Sequence, residues 1–89
     1  MKSLRKYWRR LSSEGRKIYA SKVGVSVAHM ENKYVCKDSS RRQVPSKERM
    51  ADFILESNGE VSAEGLAFDF VIEPLIKLTQ KKKTLANEG

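Results

Sequence analysis

Features that cross-link or anchor a chain are scarce in this sequence. Its 89 residues include one cysteine, Cys36, so no internal disulfide can form, and a lone thiol is typical of a reducing compartment. No run of about 18 apolar residues is present, and Met1–Leu4 is not followed by the apolar core of a signal peptide. We therefore expect a soluble, cytoplasmic protein that contacts no membrane.

Groups that carry catalysis or bind metals are equally scarce. His29 is the only histidine, and one histidine with Cys36 cannot complete a four-ligand zinc site without a cluster of carboxylates. The acidic residues are scattered, and the sequence has neither a G-x-S-x-G motif nor a glycine-rich phosphate loop. We expect no enzyme activity, no metal, no cofactor and no small-molecule ligand.

Positive charge is abundant and lies mostly in one half of the chain. The formal net charge is +7; residues 1–45 contain twelve Lys or Arg against three acidic residues, whereas residues 46–89 contain six against eight. The length suits a single domain. A basic half on one small domain predicts a polyanionic partner, nucleic acid first, although a merely solubilising surface is the alternative.

The spacing of apolar residues predicts a series of short helices, each preceded by a serine. The candidate N-caps are Ser3, Ser12 or Ser13, Ser26, Ser46 and Ser62. The residues expected to face the core are Leu4, Trp8, Leu11, Ile18, Tyr19, Val23, Met30, Met50, Phe53, Ile54 and Leu66. The basic, polar stretch 36–44 is expected to be a loop.

The spacing between residues 16 and 34 is typical of a helix–turn–helix. The motif needs a small residue where two helices cross, a glycine four positions later for the turn, and an apolar anchor in the second helix. Ala20, Gly24 and Met30 occupy these positions, and the apolar Val25 follows the glycine. The second helix can then enter a DNA major groove, although an ordinary helical hairpin uses similar spacing.

At these positions the sequence resembles the Cro and repressor-type phage regulators, especially the short YdaS-like Cro proteins. The similarity runs from about Leu4 to Leu66. Its motifs are Leu11–Glu14, Tyr19-Ala20, Gly24, Ser26–Met30, Pro45-Ser46, Glu48, Ile54–Ser62, Glu64 and Leu66. The resemblance implies an all-α, five-helix lambda-repressor-like domain, a homodimer on a palindromic operator, and a transcriptional regulator carried by a phage or prophage.

Two positions depart from the family pattern. Arg16 stands where the motif often has glutamine, and Lys33 stands where it has an apolar residue. We expect Tyr34 or Val35 to replace Lys33 as the anchor, with some rotation of the helix.

The motif assigns the residues that contact DNA. Candidate base contacts on the second helix are Ser26, Val27, Ala28, Glu31 and Asn32. The amide of Asn32 suits adenine, while Val27 and Ala28 suit a thymine methyl. Candidate phosphate contacts are the cations around this helix: Arg16, Lys17, Lys33, Lys37, Arg41 and Arg42. For both sets, a solvated surface is the alternative.

The C-terminal part changes character. Apolar residues at 68, 70 and 72 alternate with Asp69 and Glu73, which predicts a short strand or extended segment. We expect residues 1–66 to form the DNA-binding domain, residues 67–80 to dimerise, and residues 81–89 to be a disordered tail. The dimerisation residues would be Phe68, Phe70, Ile72 and Leu75. Alternatively, this segment completes the core of each monomer.

Two other functions fit the same sequence. One is a protein-interaction module, such as an antitoxin whose acidic second half binds a toxin. The other is a domain for single-stranded DNA or RNA, which would need exposed aromatic residues among the charges. The aromatic residues here share helical faces with aliphatic ones and are expected to be buried. Double-stranded DNA is therefore the preferred partner.

Overall fold

All the secondary-structure elements in the described part of the chain are helical. The computed structural model describes the backbone of residues 1–88 and the side chains of residues 1–83. The elements are α1 (Leu4–Arg10), α2 (Ser13–Val23), α3 (Val27–His29) continued by a π-helical turn (Met30–Tyr34), a 3-10 turn (Ser39–Arg41), α4 (Lys47–Glu56), α5 (Ala63–Ala67) continued by a π-helical turn (Phe68–Ile72), and α6 (Glu73–Glu88). Within residues 1–88 there is no strand, so the predicted all-α class is confirmed.

A serine side chain caps each of the first five α-helices. Ser3, Ser12, Ser26, Ser46 and Ser62 each accept a hydrogen bond from a backbone N–H in the first turn. Such a cap satisfies a donor that has no partner inside the helix and stabilises it by about 1 kcal/mol. The predicted helix starts are confirmed.

The core is built around a chain of aromatic rings. Phe53 is fully buried and packs against Tyr19 and Tyr34, and Tyr34 in turn meets Phe70 edge-on. The Tyr19 hydroxyl donates to the Phe53 carbonyl at 2.6 Å, and burial raises the pKa of Tyr19. The prediction that Ile18 is buried was wrong: its side chain is 51% exposed, because α2 packs through Tyr19, Ala20 and Val23.

The C-terminal helices hold the start of α1. The buried Asp69 carboxylate accepts hydrogen bonds from the backbone N–H groups of Leu4, at 2.8 Å, and Arg5, at 3.3 Å. Gly65 lies so close that a Cβ there would be 1.9 Å from the Lys2 carbonyl oxygen, which only glycine avoids. Residues distant in sequence therefore fix the position of α1.

The predicted C-terminal strand was wrong. Leu66, Asp69 and Phe70 are buried at the i, i+3, i+4 spacing of a helix, and the chain runs as one helical segment from α5 into α6. Asp69 is polar but buried because it caps α1, and this concealed the helical pattern. The expected tail at 81–89 is also corrected: the backbone of residues 81–88 is helical, while Gly89 lies outside the described residues.

Among the described residues, none of the helices combines the length and the apolar character needed to span a bilayer.

Candidate nucleic-acid interface

The connection between α2 and α3 is a glycine turn held by hydrogen bonds. Gly24 ends α2 in the left-handed conformation, with φ at 80°, which residues with a Cβ rarely adopt. The Val25 N–H donates to the Ala20 carbonyl at 3.0 Å. The Arg49 guanidinium of α4 donates to the Val23 carbonyl. Local geometry and one distant side chain thus set the angle at which α3 leaves α2.

The π-helical turn orients the second half of α3. The Val35 N–H donates to the Met30 carbonyl at 2.9 Å, one residue further than in an α-helix. Met30, Tyr34 and Val35 are buried, while Lys33 is exposed. The prediction that Tyr34 or Val35 would replace Lys33 as the apolar anchor is therefore confirmed for both residues.

The outer side of α3 carries most of the predicted base-contact residues. Ser26, Ala28, Glu31 and Asn32 are exposed. Val27 is half-buried and packs against the core cluster, so part of its side chain serves the fold. Four of the five candidates are thus accessible to solvent.

The predicted phosphate contacts divide into exposed cations and cations engaged within the fold. Lys17, Lys33, Lys37 and Arg41 are exposed around α2 and α3. Arg16 is engaged: it lies over the Trp8 ring, donates to the Trp8 carbonyl at 3.1 Å, and pairs with Glu31 at 3.4 Å. Arg16 and Glu31 therefore join α1, α2 and α3 to one another.

The assignment of Arg42 as a phosphate contact was wrong. Its side chain is 1% exposed and pairs with Glu73. Its guanidinium also donates to the Cys36 carbonyl at 2.9 Å and to the Asp69 carbonyl at 2.8 Å. Arg42 thus joins the loop after α3 to the C-terminal helical segment and has no exposed surface for DNA.

The predicted dimerisation residues also divide. Phe70 was wrongly assigned: it is 5% exposed and packs against Tyr34 in the monomer. Phe68 is half-buried, whereas Ile72 and Leu75 are 42% and 59% exposed. The segment therefore contributes Phe70 to the monomer core and leaves Ile72 and Leu75 on the surface, and its role in dimerisation stays a prediction.

One side of α6 and the turn before it forms an exposed apolar surface. This α6 apolar face consists of Val71, Ile72, Leu75, Ile76 and Leu78, each 42% exposed or more. On the opposite side, Glu73 pairs with Arg42, and Lys77 pairs with Asp38 at 2.8 Å. The hydrogen bonds from Lys77 and Ser40 lower the pKa of Asp38. Ion pairs thus hold α6 to the body of the domain and turn the apolar face outward.

Comparisons with protein-family models, with curated proteins and with solved structures found no match. The resemblance to Cro and repressor-type regulators therefore stays a prediction.

Proposed function

We propose that the protein is a sequence-specific, double-stranded DNA-binding transcriptional regulator of the Cro/repressor type, carried by a phage or prophage. The observation that carries the proposal is the α2–Gly24–α3 unit. Its second helix is capped by Ser26, anchored by Met30 and Tyr34, and exposes Ala28 and Asn32 outward. A helix anchored on one side and exposed on the other can enter a major groove.

The charge around α3 supports duplex DNA as the partner. The exposed cations Lys17, Lys33, Lys37 and Arg41 lie on α2 and on the chain from the π-helical turn after α3 to the 3-10 turn. Phosphate contacts from such residues fix the register of a protein on the duplex, while amide and methyl groups on the helix distinguish the bases. The exposed residues of the domain thus include candidates for both classes of contact.

The α6 apolar face supports a homodimer on a palindromic operator. Its five large side chains are each at least 42% exposed, and monomers rarely leave a contiguous apolar surface uncovered. A two-fold dimer covers the same surface on both protomers. It also provides two recognition helices, which must lie about 34 Å apart to read successive major grooves.

The proposal is tested by selecting bound sites from a random duplex library and measuring affinity against salt. We expect a palindromic consensus. If a dimer neutralises about 6–8 phosphates, log K falls with log salt at a slope of roughly −5 to −7. A slope near zero, or tighter binding to single strands than to duplex, would contradict the proposal.

Asn32→Ala tests the assignment of α3 as the recognition helix. Asn32 is exposed, so the substitution leaves the core intact. We expect a loss of about 1–3 kcal/mol on the selected site and little change on random duplex, because only the selected site offers the matching base. Electrophoretic or anisotropy titrations measure both. Arg41→Ala is the control and should weaken both to a similar extent; an equal loss on both duplexes for Asn32→Ala would exclude a base-reading role.

A further inference from the structure

A basic groove lies between α1 and the C-terminal end of the α3 helix. Its volume is about 300 Å³, and its lining includes four cations, Arg5, Arg9, Arg16 and Lys37, together with Glu31 and Trp8. Arg16 and Glu31 form an ion pair at 3.4 Å. Arg5, Arg9 and Lys37 therefore have no second carboxylate among the residues that line the groove. This excess of positive charge in a concave surface favours an anion.

Two donors beside this groove lack acceptors. Within the part of the chain whose side chains are described, residues 1–83, the buried Trp8 Nε1 and Arg5 Nε have no hydrogen-bond partner. Trp8 is 2% exposed. A buried N–H without an acceptor is costly to the fold, and a native protein usually satisfies it with protein, water or a ligand. Both unpaired donors belong to residues that line the basic groove.

The surrounding contacts hold the backbone of Arg5 and Trp8 and one face of the Trp8 ring in place. The Arg5 backbone N–H is bound by the Asp69 carboxylate at 3.3 Å, and the Trp8 carbonyl is bound by Arg16 at 3.1 Å. The Arg16 guanidinium lies 5.5 Å from the centre of the Trp8 ring. The groove therefore has a wall that is already ordered before any ligand arrives, which lowers the entropic cost of binding.

We propose that the basic groove binds a phosphate group. Arg5, Arg9 and Lys37 supply the opposing charge, and the two unpaired donors belong to residues that line the same groove. A tetrahedral dianion matches several converging donors better than a carboxylate does, and arginine donors pair with it in a bidentate manner. The proposal that free phosphate binds depends only on the basic groove. The identity of the ligand as a DNA backbone phosphate rests on the function proposed above, because Glu31 of α3 lines the same groove.

The indole N–H is itself the probe, because Trp8 is the only tryptophan in the chain. The experiment titrates the full-length protein with inorganic phosphate at constant ionic strength, balanced with sodium chloride, and follows the indole resonance in a ¹H–¹⁵N spectrum. We expect a saturable shift. Removing one charged donor with Arg9→Gln should weaken phosphate binding roughly tenfold.

The matched control is Lys6→Gln, which removes an exposed cation from α1 that does not line the basic groove. We expect its affinity for phosphate to remain within about twofold of the unmodified protein, because Lys6 supplies no donor to the groove and 0.1 M salt weakens the attraction of an exposed charge outside it. A linear, non-saturating shift would overturn the proposal. So would an equal loss of affinity in Lys6→Gln and Arg9→Gln.

A second titration with a short random-sequence duplex separates the two phosphate sources. An indole shift with both phosphate and duplex, weakened in both cases by Arg9→Gln, identifies the ligand on DNA as a backbone phosphate. If phosphate gives a saturable shift but the protein binds no duplex, the basic groove is a site for free phosphate. The proposed DNA-binding function is then excluded. If anisotropy detects duplex binding but the indole resonance responds to neither phosphate nor duplex, a phosphate site in the basic groove is excluded. The proposed DNA-binding function is then retained.

Discussion

Arg42→Ala is expected to destabilise the protein by about 3–4 kcal/mol, because it breaks a buried charged network. The guanidinium is 1% exposed and joins the Cys36 and Asp69 carbonyls to the Glu73 carboxylate. Without it, these acceptors lose a donor and the Asp69 carboxylate loses the attraction of the Arg42 charge. Urea denaturation, read as the change in free energy of unfolding, measures the effect.

Arg41→Ala provides the matched control one residue away. Arg41 is exposed, so its removal should change stability by less than about 0.5 kcal/mol while weakening duplex binding. We therefore expect Arg42→Ala to lower the free energy of unfolding and Arg41→Ala to lower DNA affinity. If Arg42→Ala folded as stably as the unmodified protein and only lost DNA affinity, Arg42 would be a phosphate contact and the buried network would not matter.

The loss of stability caused by Arg42→Ala is also expected to depend on pH. Burial raises the pKa of Asp69, against the lowering effect of the Arg5 and Leu4 N–H groups and of Arg42. A carboxyl with a raised pKa in the folded state contributes stability below its unfolded pKa and loses it as pH rises through the folded pKa. Removing Arg42 raises the pKa of Asp69 further. The difference in stability between the two proteins should therefore grow from acid to neutral pH.

Local chemistry explains which parts of the fold could be predicted from sequence. Each serine cap bonds to its own helix, and Gly24 adopts a conformation that its own lack of a Cβ allows, so the signal lies within a few residues. The outward position of Asn32 follows equally from its spacing to Met30. Features of this kind depend on neighbours in sequence and were predicted.

Long-range contacts explain what sequence reasoning missed. Arg42 stands in a polar loop, and its burial depends on acceptors 27 and 31 residues away. Asp69 is buried because it caps α1, 65 residues away, and its polarity made a helix resemble a strand. The basic groove likewise forms only when α1 packs beside α3. A sequence signal was present for the continuous helical segment from α5 into α6, since Leu66, Asp69, Phe70 and Glu73 share a helical spacing, but it requires treating Asp69 as buried.

Leu75→Glu is expected to leave a folded monomer whose affinity for a palindromic operator is lower by about a hundredfold or more. Leu75 is 59% exposed, so a charge there leaves the monomer core intact. In a two-fold dimer the same substitution buries two carboxylates opposite apolar side chains, which costs several kcal/mol. A monomer loses the second, effectively intramolecular, binding event on the operator, and such linkage is worth about 10²–10⁴ in affinity.

Leu55→Glu is the matched control for this substitution. Leu55 is 72% exposed on α4, outside the α6 apolar face, so the same change in charge and hydrophobicity is made elsewhere on the surface. We expect it to leave sedimentation as a dimer and operator affinity nearly unchanged. If Leu75→Glu remains a dimer, the protomers meet through another surface. If both variants lose affinity equally while remaining dimers, the loss reflects the added negative charge, because a carboxylate anywhere on a small domain opposes a polyanion.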